Sequence, residues 1–401
     1  MTTVAIVCEY NPFHNGHKYH IDRIREDFGP DTTVIAVMSG NFTQRGECAI
    51  ADKGLRAKCA VLGGANLVLE LPFPFSAASA ELFASAAVSI IDSLGTVDYI
   101  SFGSEAGELE PLLRVASAMQ TEEYERAVAR LSDDPTLRSL GYPAICAEAL
   151  SSLGESELDF TPNNILALEY IKALSKRSSS IRLHTVKRMG AGYNDLFSPS
   201  TELQSATAIR EAVLAKNISA LEYTPNSTKK CILDAIADGS FPCDGERLGA
   251  AIISSLRISP SRQDVEPHDC GGGLYNRLRA KSLEANTLSG LVRLSQTKKY
   301  TAARIRRAIW FSYLGVTSSS VSEAPLYTQL LALDTRGRQG LKEIKRCGTI
   351  PVLTKPADTD ALSERALIQK ALSDRADSVF QLTKPTPPSG AYALKYTPFV
   401  K

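Results

Sequence analysis

Three of the five histidines in the chain fall within seven residues: His14, His17 and His20, in the run EYNPFHNGHKYH. An imidazole can ligate a metal, carry a proton or donate a hydrogen bond to an anion, and its surroundings decide among these. As metal ligands, His17 and His20 would be an i,i+3 pair joined by His14, but no carboxylate stands at a matching spacing and Gly16 interrupts the run. As incidental members of a surface turn they would need no role, a reading that suits His20. The third reading rests on position. His14-Asn15-Gly16-His17 lies between an apolar, β-branched run, Thr3 to Val7, and a helical pattern from Lys18 to Phe28. A glycine there lets a phosphate approach the backbone, and the helix start offers unpaired N–H groups and partial positive charge. Two imidazoles at such a place can donate to phosphate oxygens as charge builds in a transition state.

A second run, Ser205-Ala206-Thr207-Ala208-Ile209-Arg210, opens another helical pattern. Ser205 suits an N-cap, and Arg210 supplies a planar, permanently charged fork matched to phosphate. Taken alone, the run could equally be a plain cap with an exposed arginine. No Walker A motif occurs. Gly190 to Asp195 fails the dinucleotide fingerprint, because no strand-to-helix turn follows it at the right spacing.

The elements that must hold these residues alternate through the first hundred positions. Strands are expected at Thr3–Val7, Thr33–Met38, Asn66–Leu71 and Tyr99–Phe102, and helices at Lys18–Phe28, Asp52–Leu62 and Ser79–Leu94. This βαβαβαβ order calls for a Rossmann-like α/β fold whose parallel sheet gathers its ligand at the carboxyl ends of the strands. A helical, charged stretch follows from Glu108 to Leu153, then a helix starting at Pro162-Asn163-Asn164. A strand at Ile181–Val186 should rejoin the sheet. Beyond Thr224-Pro225 the chain reads as helical to about Leu314, with short strands possible at Leu326–Leu333 and Thr349–Leu353. The expected division is a catalytic domain over 1–225 and a mainly helical region over 226–401.

Composition narrows the class. The chain has 401 residues, 45 Lys+Arg against 44 Asp+Glu and 44% hydrophobic residues, which excludes disorder and fits a globular protein of more than one domain. No apolar window is long enough to span a membrane. The first strand begins almost at Met1, leaving no room for a secretory leader, so a cytoplasmic protein is expected. The eight cysteines form no CxxC pair and read as reduced thiols, Cys8 as a strand-end packing residue. Charge is distributed unevenly: residues 1–110 hold 7 basic and 14 acidic residues, whereas 276–307 hold 9 basic residues and only Glu284. A solvated helix face is the ordinary account of such a basic run; a surface for a polyanion is the other.

The H-x-G-H turn resembles the signature of the nucleotidyltransferase superfamily, and the ordered runs VCEYNPFHNGHKYHI, MSGNFTQRGE, NLVLELP, FGSE, TPNNILA, RMGAGYND, SATAIR and TKKYTAARIRR resemble the bacterial tRNA(Met) cytidine acetate ligase family. The resemblance covers residue 4 to about 314. It implies a ligase that joins acetate to ATP as acetyladenylate, then passes the acetyl group to N4 of the wobble cytidine of elongator tRNA(Met), giving N4-acetylcytidine. It also implies that the segment Val7, Cys8, Glu9, Tyr10, Asn11, Pro12, Phe13, His14, Asn15, Gly16, His17, Lys18, Tyr19 and His20 wraps ATP. Gly103, Asn163 and Arg188 would touch the nucleotide, and Ser205, Thr207 and Arg210 would face the phosphates from the other side. His14, His17 and Arg210 are the expected catalytic groups. Asn66 and Cys48 stand where the family often has Asp and Pro.

Adenylation makes AMP the leaving group of an otherwise inert acetate, so the work is to hold two anions together and absorb growing charge. Mg²⁺ is expected on the ATP phosphates, with no dedicated protein cage. For the RNA, the expected contacts are Lys298, Lys299, Arg304, Arg306 and Arg307 on phosphates, with Tyr300 stacking on a base. No membrane and no protein partner is implied. Two other functions fit parts of the sequence: adenylyl or cytidylyl transfer to a small phospho-substrate, which HNGH alone allows, and a non-catalytic tRNA-binding protein.

Overall fold

The structure is a computed structural model, and it describes the chain outside residues 1, 106, 135, 138–141, 156–157, 189–203, 260–265 and 392–395. The run Gly190 to Asp195 lies outside the described residues.

The β-branched run at the N-terminus becomes the inner strand β1 (Thr3–Cys8). It pairs in parallel with β2 (Thr33–Ser39) on one side and β4 (Tyr99–Ser104) on the other. Strands β3 (Leu67–Leu71) and β5 (Arg182–Lys187) extend the parallel sheet outward, giving the order β5-β4-β1-β2-β3. The chain winds one way from β1 to β3 and then crosses back to place β4 beside β1. The carboxyl ends of β1 and β4 therefore frame the topological switch point, where an α/β sheet leaves a crevice for a ligand.

Helices cover both faces, as parallel strands require. On one face, Ala5, Ile35, Val37, Leu69 and Ile100 pack under α3 (Ala80–Ser93) and, further along the chain, Pro162–Lys176. On the other, Val4, Ile6, Val34, Ala36 and Val68 meet Ile21 and Ile24 of α1 (Asn15–Phe28) and Ala57, Ala60 and Val61 of α2 (Lys53–Leu62). Between β4 and β5 come α4 (Glu110–Ala118), α5 (Glu122–Leu131), α6 (Tyr142–Ser152) and α7, the helix Pro162–Lys176. The expected strand near Ile181 does rejoin the sheet, as β5.

After α8 (Ala206–Leu214), Pro225 caps α9 (Asn226–Ala237), so the expected boundary falls at a helix start. Helices α10 (Gly249–Ile258), α11 (Leu274–Ser282), α12 (Leu288–Ser295) and α13 (Ala302–Leu314) then build a second core around Leu278, Trp310 and Phe311. That core is continuous with Phe42 and Phe73, which follow the carboxyl ends of β2 and β3. At Gly46 the backbones come close: its φ is +71°, and a Cβ there would lie 2.5 Å from the Arg307 nitrogen.

The region from 226 onward is mainly helical, and it also carries short strands, two of them near the stretches Leu326–Leu333 and Thr349–Leu353. Strand β6 (Thr328–Leu333) adds antiparallel to β3, and β7 (Val352–Leu353) and β8 (Phe399–Val400) pair with β6. The C-terminal part thus completes the N-terminal sheet, with α14 (Thr335–Cys347) contributing Ile344 to its core. A buried ion cluster explains part of this return. Lys53 on α2 sits 2.8 Å from Glu70 on β3 and 2.5 Å from Asp377 on α15 (Glu364–Phe380). Burial alone would discharge the lysine; the two carboxylates outweigh it and hold its pKa well above the ordinary value.

Candidate active site

The turn after β1 is built by its own imidazoles. His14 is the N-cap of α1, its Nδ1 accepting the Gly16 N–H at 3.0 Å, while the His14 N–H donates to Nδ1 of His17 at 3.3 Å. This is a reciprocal capping box made with two histidines in place of the usual hydroxyl and carboxylate. It also explains why α1 begins at Asn15 rather than at Lys18. The rings stack with centroids 3.8 Å apart. A Cβ at position 16 would lie 2.8 Å from His14 Cε1, so only glycine lets the ring fold back over its own backbone.

Two consequences follow for the chemistry. Burial, then the charges of Arg188 and Arg210, push the His14 pKa down to about 3; burial and then His14 itself push His17 well below its ordinary value. Both rings are neutral near pH 7. With each Nδ1 accepting a backbone N–H, the proton of each neutral ring sits on Nε2, so the turn presents two N–H donors beside the first N–H groups of a helix.

The other expected groups converge from three directions. On the β4 side, Arg188 follows β5 and lies over Gly103, with its Cγ 3.1 Å from where a Cβ would be. Its Nη1 donates to Asn163 Oδ1 at 3.2 Å, and Asn163 Nδ2 donates to Glu105 at 2.8 Å. Asn164 points elsewhere, donating to the Asp159 carbonyl, so Asn163 is the one that shares the arginine. From α8, Arg210 reaches back to the Asn11 carbonyl at 2.8 Å, Thr207 Oγ1 at 3.2 Å and Glu47 Oε2 at 3.0 Å. Ser205 caps α8 through the Ala208 N–H and is buried, so its hydroxyl is already engaged.

The segment from Val7 to His20 divides by task. Tyr10, Asn11, Pro12 and Phe13 are buried beneath the turn, Asn11 accepting the Ile50 N–H at 2.8 Å. Tyr10 takes φ +46°, a left-handed backbone that a bulky residue rarely adopts and that marks functional turns. The Cys8 thiol is pushed up by burial and stays inert. Lys18 pairs at the surface with Asp22 at 2.7 Å. His20 faces the sheet, 2.8 Å from Ser101 Oγ; Ser101 in turn meets His184 Nδ1, and His184 Nε2 meets Asp27. Val7, Glu9, Asn15 and Tyr19 are half-buried around the turn.

Two residues that organise the site were given no role by the sequence: Arg56, outside the quoted motifs, and Glu47, at the end of MSGNFTQRGE. Arg56 is fully buried and donates to the carbonyls of Glu9, Ser39, Gly40 and Ala51, tying the carboxyl ends of β1 and β2 together. Glu47 bridges Arg210 and Arg306. The signal for Arg56 was present: a cation on the apolar face of α2, one turn from Lys53, asks for buried partners.

The basic segment is placed differently from its expectation. Tyr300 is buried, its hydroxyl bonded to the Gly272 carbonyl, and is not free to stack on a base. Arg307 is buried against Asp269 at 2.7 Å, and Arg304 meets Asp269 at 3.2 Å and the Gly271 carbonyl at 3.0 Å. Lys299 donates to Gly272, and Arg306 pairs with Glu47 at 3.3 Å. Lys298 is exposed and has no partner among the described residues.

The switch-point crevice, the imidazole-capped helix start and the flanking arginines define a nucleotidyltransferase site of the H-x-G-H kind, and the family described as HIGH Nucleotidyl Transferase matches residues 1–391. Among curated relatives, the tRNA(Met) cytidine acetate ligase of Caldanaerobacter subterraneus subsp. tengcongensis is 36% identical over 89% of each chain. That of Clostridium acetobutylicum is 34% identical over 94% of this chain and 98% of its own. Thermotoga maritima TmcAL in its apo form superposes with a TM-score of 0.92 at 30% identity, covering 100% of this chain and 99% of its own. The same protein bound with alpha-thio ATP gives 0.90. The chain belongs to the tRNA(Met) cytidine acetate ligase family.

Proposed function

We propose that this protein is an ATP-dependent ligase that activates acetate as acetyladenylate and transfers the acetyl group to N4 of the wobble cytidine of elongator tRNA(Met). The observation that carries the reading is the pair of neutral imidazoles, stacked 3.8 Å apart on a helix start with both Nδ1 atoms engaged and both Nε2 atoms without a partner among the described residues. Such donors gain strength as negative charge moves onto the departing pyrophosphate, which is when catalysis needs them.

ATP would lie across the switch point, its nucleoside toward Gly103, Asn163 and Arg188 and its phosphates between the imidazoles and Arg210. Acetate attacks the α-phosphorus in line, the bond to pyrophosphate breaks, and acetyladenylate stays in place. The cytidine N4 then attacks the acetyl carbon and AMP leaves. No side-chain nucleophile is required. Among the described residues no three side chains are grouped to hold a metal ion; a Mg²⁺ ion would be held by phosphate oxygens and water. No helix among the described residues is long and apolar enough to cross a membrane, and the substrates place the work in the cytoplasm.

The test is exchange of labelled pyrophosphate into ATP without tRNA. It should depend on acetate, and adding tRNA(Met) should yield N4-acetylcytidine by nucleoside mass spectrometry. Exchange that ignores acetate and responds to a phospho-substrate would make the protein a small-molecule nucleotidyltransferase. No exchange at all would leave a binding protein.

A further inference from the structure

The adenylation step uses donors and cations; the transfer step needs something else. When N4 of cytidine forms its bond to the acetyl carbon, the bond from that carbon to the adenylate oxygen breaks and AMP departs with the electron pair. The nitrogen must then lose a proton. N4 is conjugated with the pyrimidine ring and weakly nucleophilic, so a base placed at that proton speeds the step by about 10²- to 10⁴-fold. The imidazoles serve poorly. Their Nδ1 atoms already accept backbone N–H groups, and their Nε2 atoms carry protons directed at phosphate.

Glu9 has the required placement. It directly follows β1, at the same switch point, and is half-buried. Gln44 N–H donates to Oε1 at 2.9 Å, fixing the carboxylate, and Oε2 meets no described group. The Arg56 guanidinium grips the Glu9 carbonyl, so the backbone beneath is held too. The groups whose charges reach this carboxyl come from each neighbouring element: Arg210 from α8, Glu47 from the loop after β2 and Arg56 from α2, while Tyr170 on α7 feels it in return. Burial is the largest influence and raises the Glu9 pKa, helped by Glu47, with the Gln44 N–H, Arg210 and Arg56 opposing.

The direction of approach agrees. Glu9 leans on the loop after β2, and that loop is the part of the site that touches the helical region, through Trp310 Nε1 on the Gly46 carbonyl at 3.0 Å and Arg306 on Glu47 at 3.3 Å. The nucleoside side, with Gly103, Asn163 and Arg188, lies across β1 from it. An acceptor base entering beside the helical region would meet the acetyl group on the Glu9 side.

We propose that Glu9 is the general base of the transfer half-reaction, its Oε2 taking the proton from cytidine N4 and releasing it to solvent after AMP leaves. The proposal rests on the ligase reading, and the two can fail separately: acetate-dependent exchange by the wild-type protein tests the ligase, whatever Glu9 does.

For Glu9, transfer is measured in single turnover from added acetyladenylate to tRNA(Met), beside pyrophosphate exchange. Glu9→Gln should slow transfer by 100-fold or more beyond any loss in exchange. Glu9→Asp, which keeps the carboxylate but retracts it, should fall between. In the wild type, transfer should rise with pH as Glu9 loses its proton and then level off; Glu9→Gln should lack that limb. Equal losses in exchange and transfer would assign Glu9 to the nucleotide and overturn the proposal. A Glu9→Gln variant that keeps the wild-type dependence of transfer on pH would overturn it as well.

Discussion

The turn after β1 and the segment from Lys298 to Arg307 look alike in sequence, each a short run dense in groups that bind anions, yet the structure treats them oppositely. In the turn, the Nδ1 atoms of His14 and His17 accept the N–H groups of Gly16 and His14, and their Nε2 atoms meet no partner among the described residues. In the basic segment, most cations are claimed by the protein: Arg304 and Arg307 by Asp269, Lys299 by Gly272, Arg306 by Glu47. The difference lies in what the backbone supplies. A strand-to-helix turn delivers orientation with the sequence, because the helix start fixes which atoms are occupied. A charge run delivers only composition, and its partners come from distant parts of the chain.

The largest expected effect tests the free donors. His17→Ala removes one of the two proposed phosphate donors together with half of the capping box, and acetate-dependent exchange should drop by about 10²- to 10³-fold, as when a single preorganised donor is deleted elsewhere. Binding of tRNA should hold, and circular dichroism should show the fold intact. Exchange within a few-fold of wild type would remove the imidazoles from the chemistry. Next in size is a test of the claimed cations. Arg307→Ala leaves the half-buried Asp269 with Arg304 alone, and unfolding in urea should show a loss of about 2 kcal/mol, the scale of a hydrogen bond to a charged group. If stability is unchanged while tRNA affinity collapses, Arg307 belongs to the RNA surface after all.

The same contrast explains what could be read in advance. The βαβ alternation gave β1 to β5 to within a residue or two, because fully buried parallel strands leave continuous apolar runs such as TVIAVMS in β2. Gly103, Asn163 and Arg188, far apart in the chain, were gathered by motif order alone, and the structure brings them together around one guanidinium. Arg56 and Glu47 escaped notice because their partners are backbone carbonyls and arginines that only the fold brings near. The burial of Tyr300 escaped for the same reason: Gly272, which accepts its hydroxyl, precedes it by 28 residues. The return of β6 to β3 was hidden by an interval of more than 250 residues, since Leu67 pairs with Leu333.

A further test concerns the protonation state that distinguishes the turn. Burial drives His14 down to about 3 and His20 to about 4, and His17 well below its ordinary value. In the unfolded chain all three would protonate near pH 6.5. Below that value the unfolded state binds more protons than the native state, so this contribution favours unfolding increasingly as pH falls toward 4, and it vanishes above about pH 7. The histidine contribution should therefore lower stability between pH 6.5 and 4, while the buried carboxyls of Glu9, Glu70 and Asp377, raised by burial, act in the opposite sense. Saturating ATP should reduce the slope, since a phosphate beside the rings favours their charged form. The reading is a thermal or urea midpoint followed against pH with and without nucleotide. A pH dependence that is the same with and without nucleotide would take the rings away from the phosphates.

The smallest expected effect falls on Lys298, the one member of the basic segment that is exposed and without a described partner. A single phosphate contact at the rim contributes through counterion release, so Lys298→Ala should weaken tRNA(Met) binding only a few-fold. It should also make the plot of log affinity against log salt shallower by about one, by analogy with duplex and single-stranded nucleic acids. Exchange and unfolding should stay as they are, because the side chain touches neither the turn nor the core. Fluorescence anisotropy with labelled tRNA across salt concentrations measures both slope and affinity. The informative comparison is with Arg307→Ala, whose slope should match wild type wherever the variant remains folded. A shallower slope for Arg307→Ala and none for Lys298→Ala would show that Asp269 releases its arginine when RNA arrives, and the contrast between the two regions would then be a property of the free protein alone.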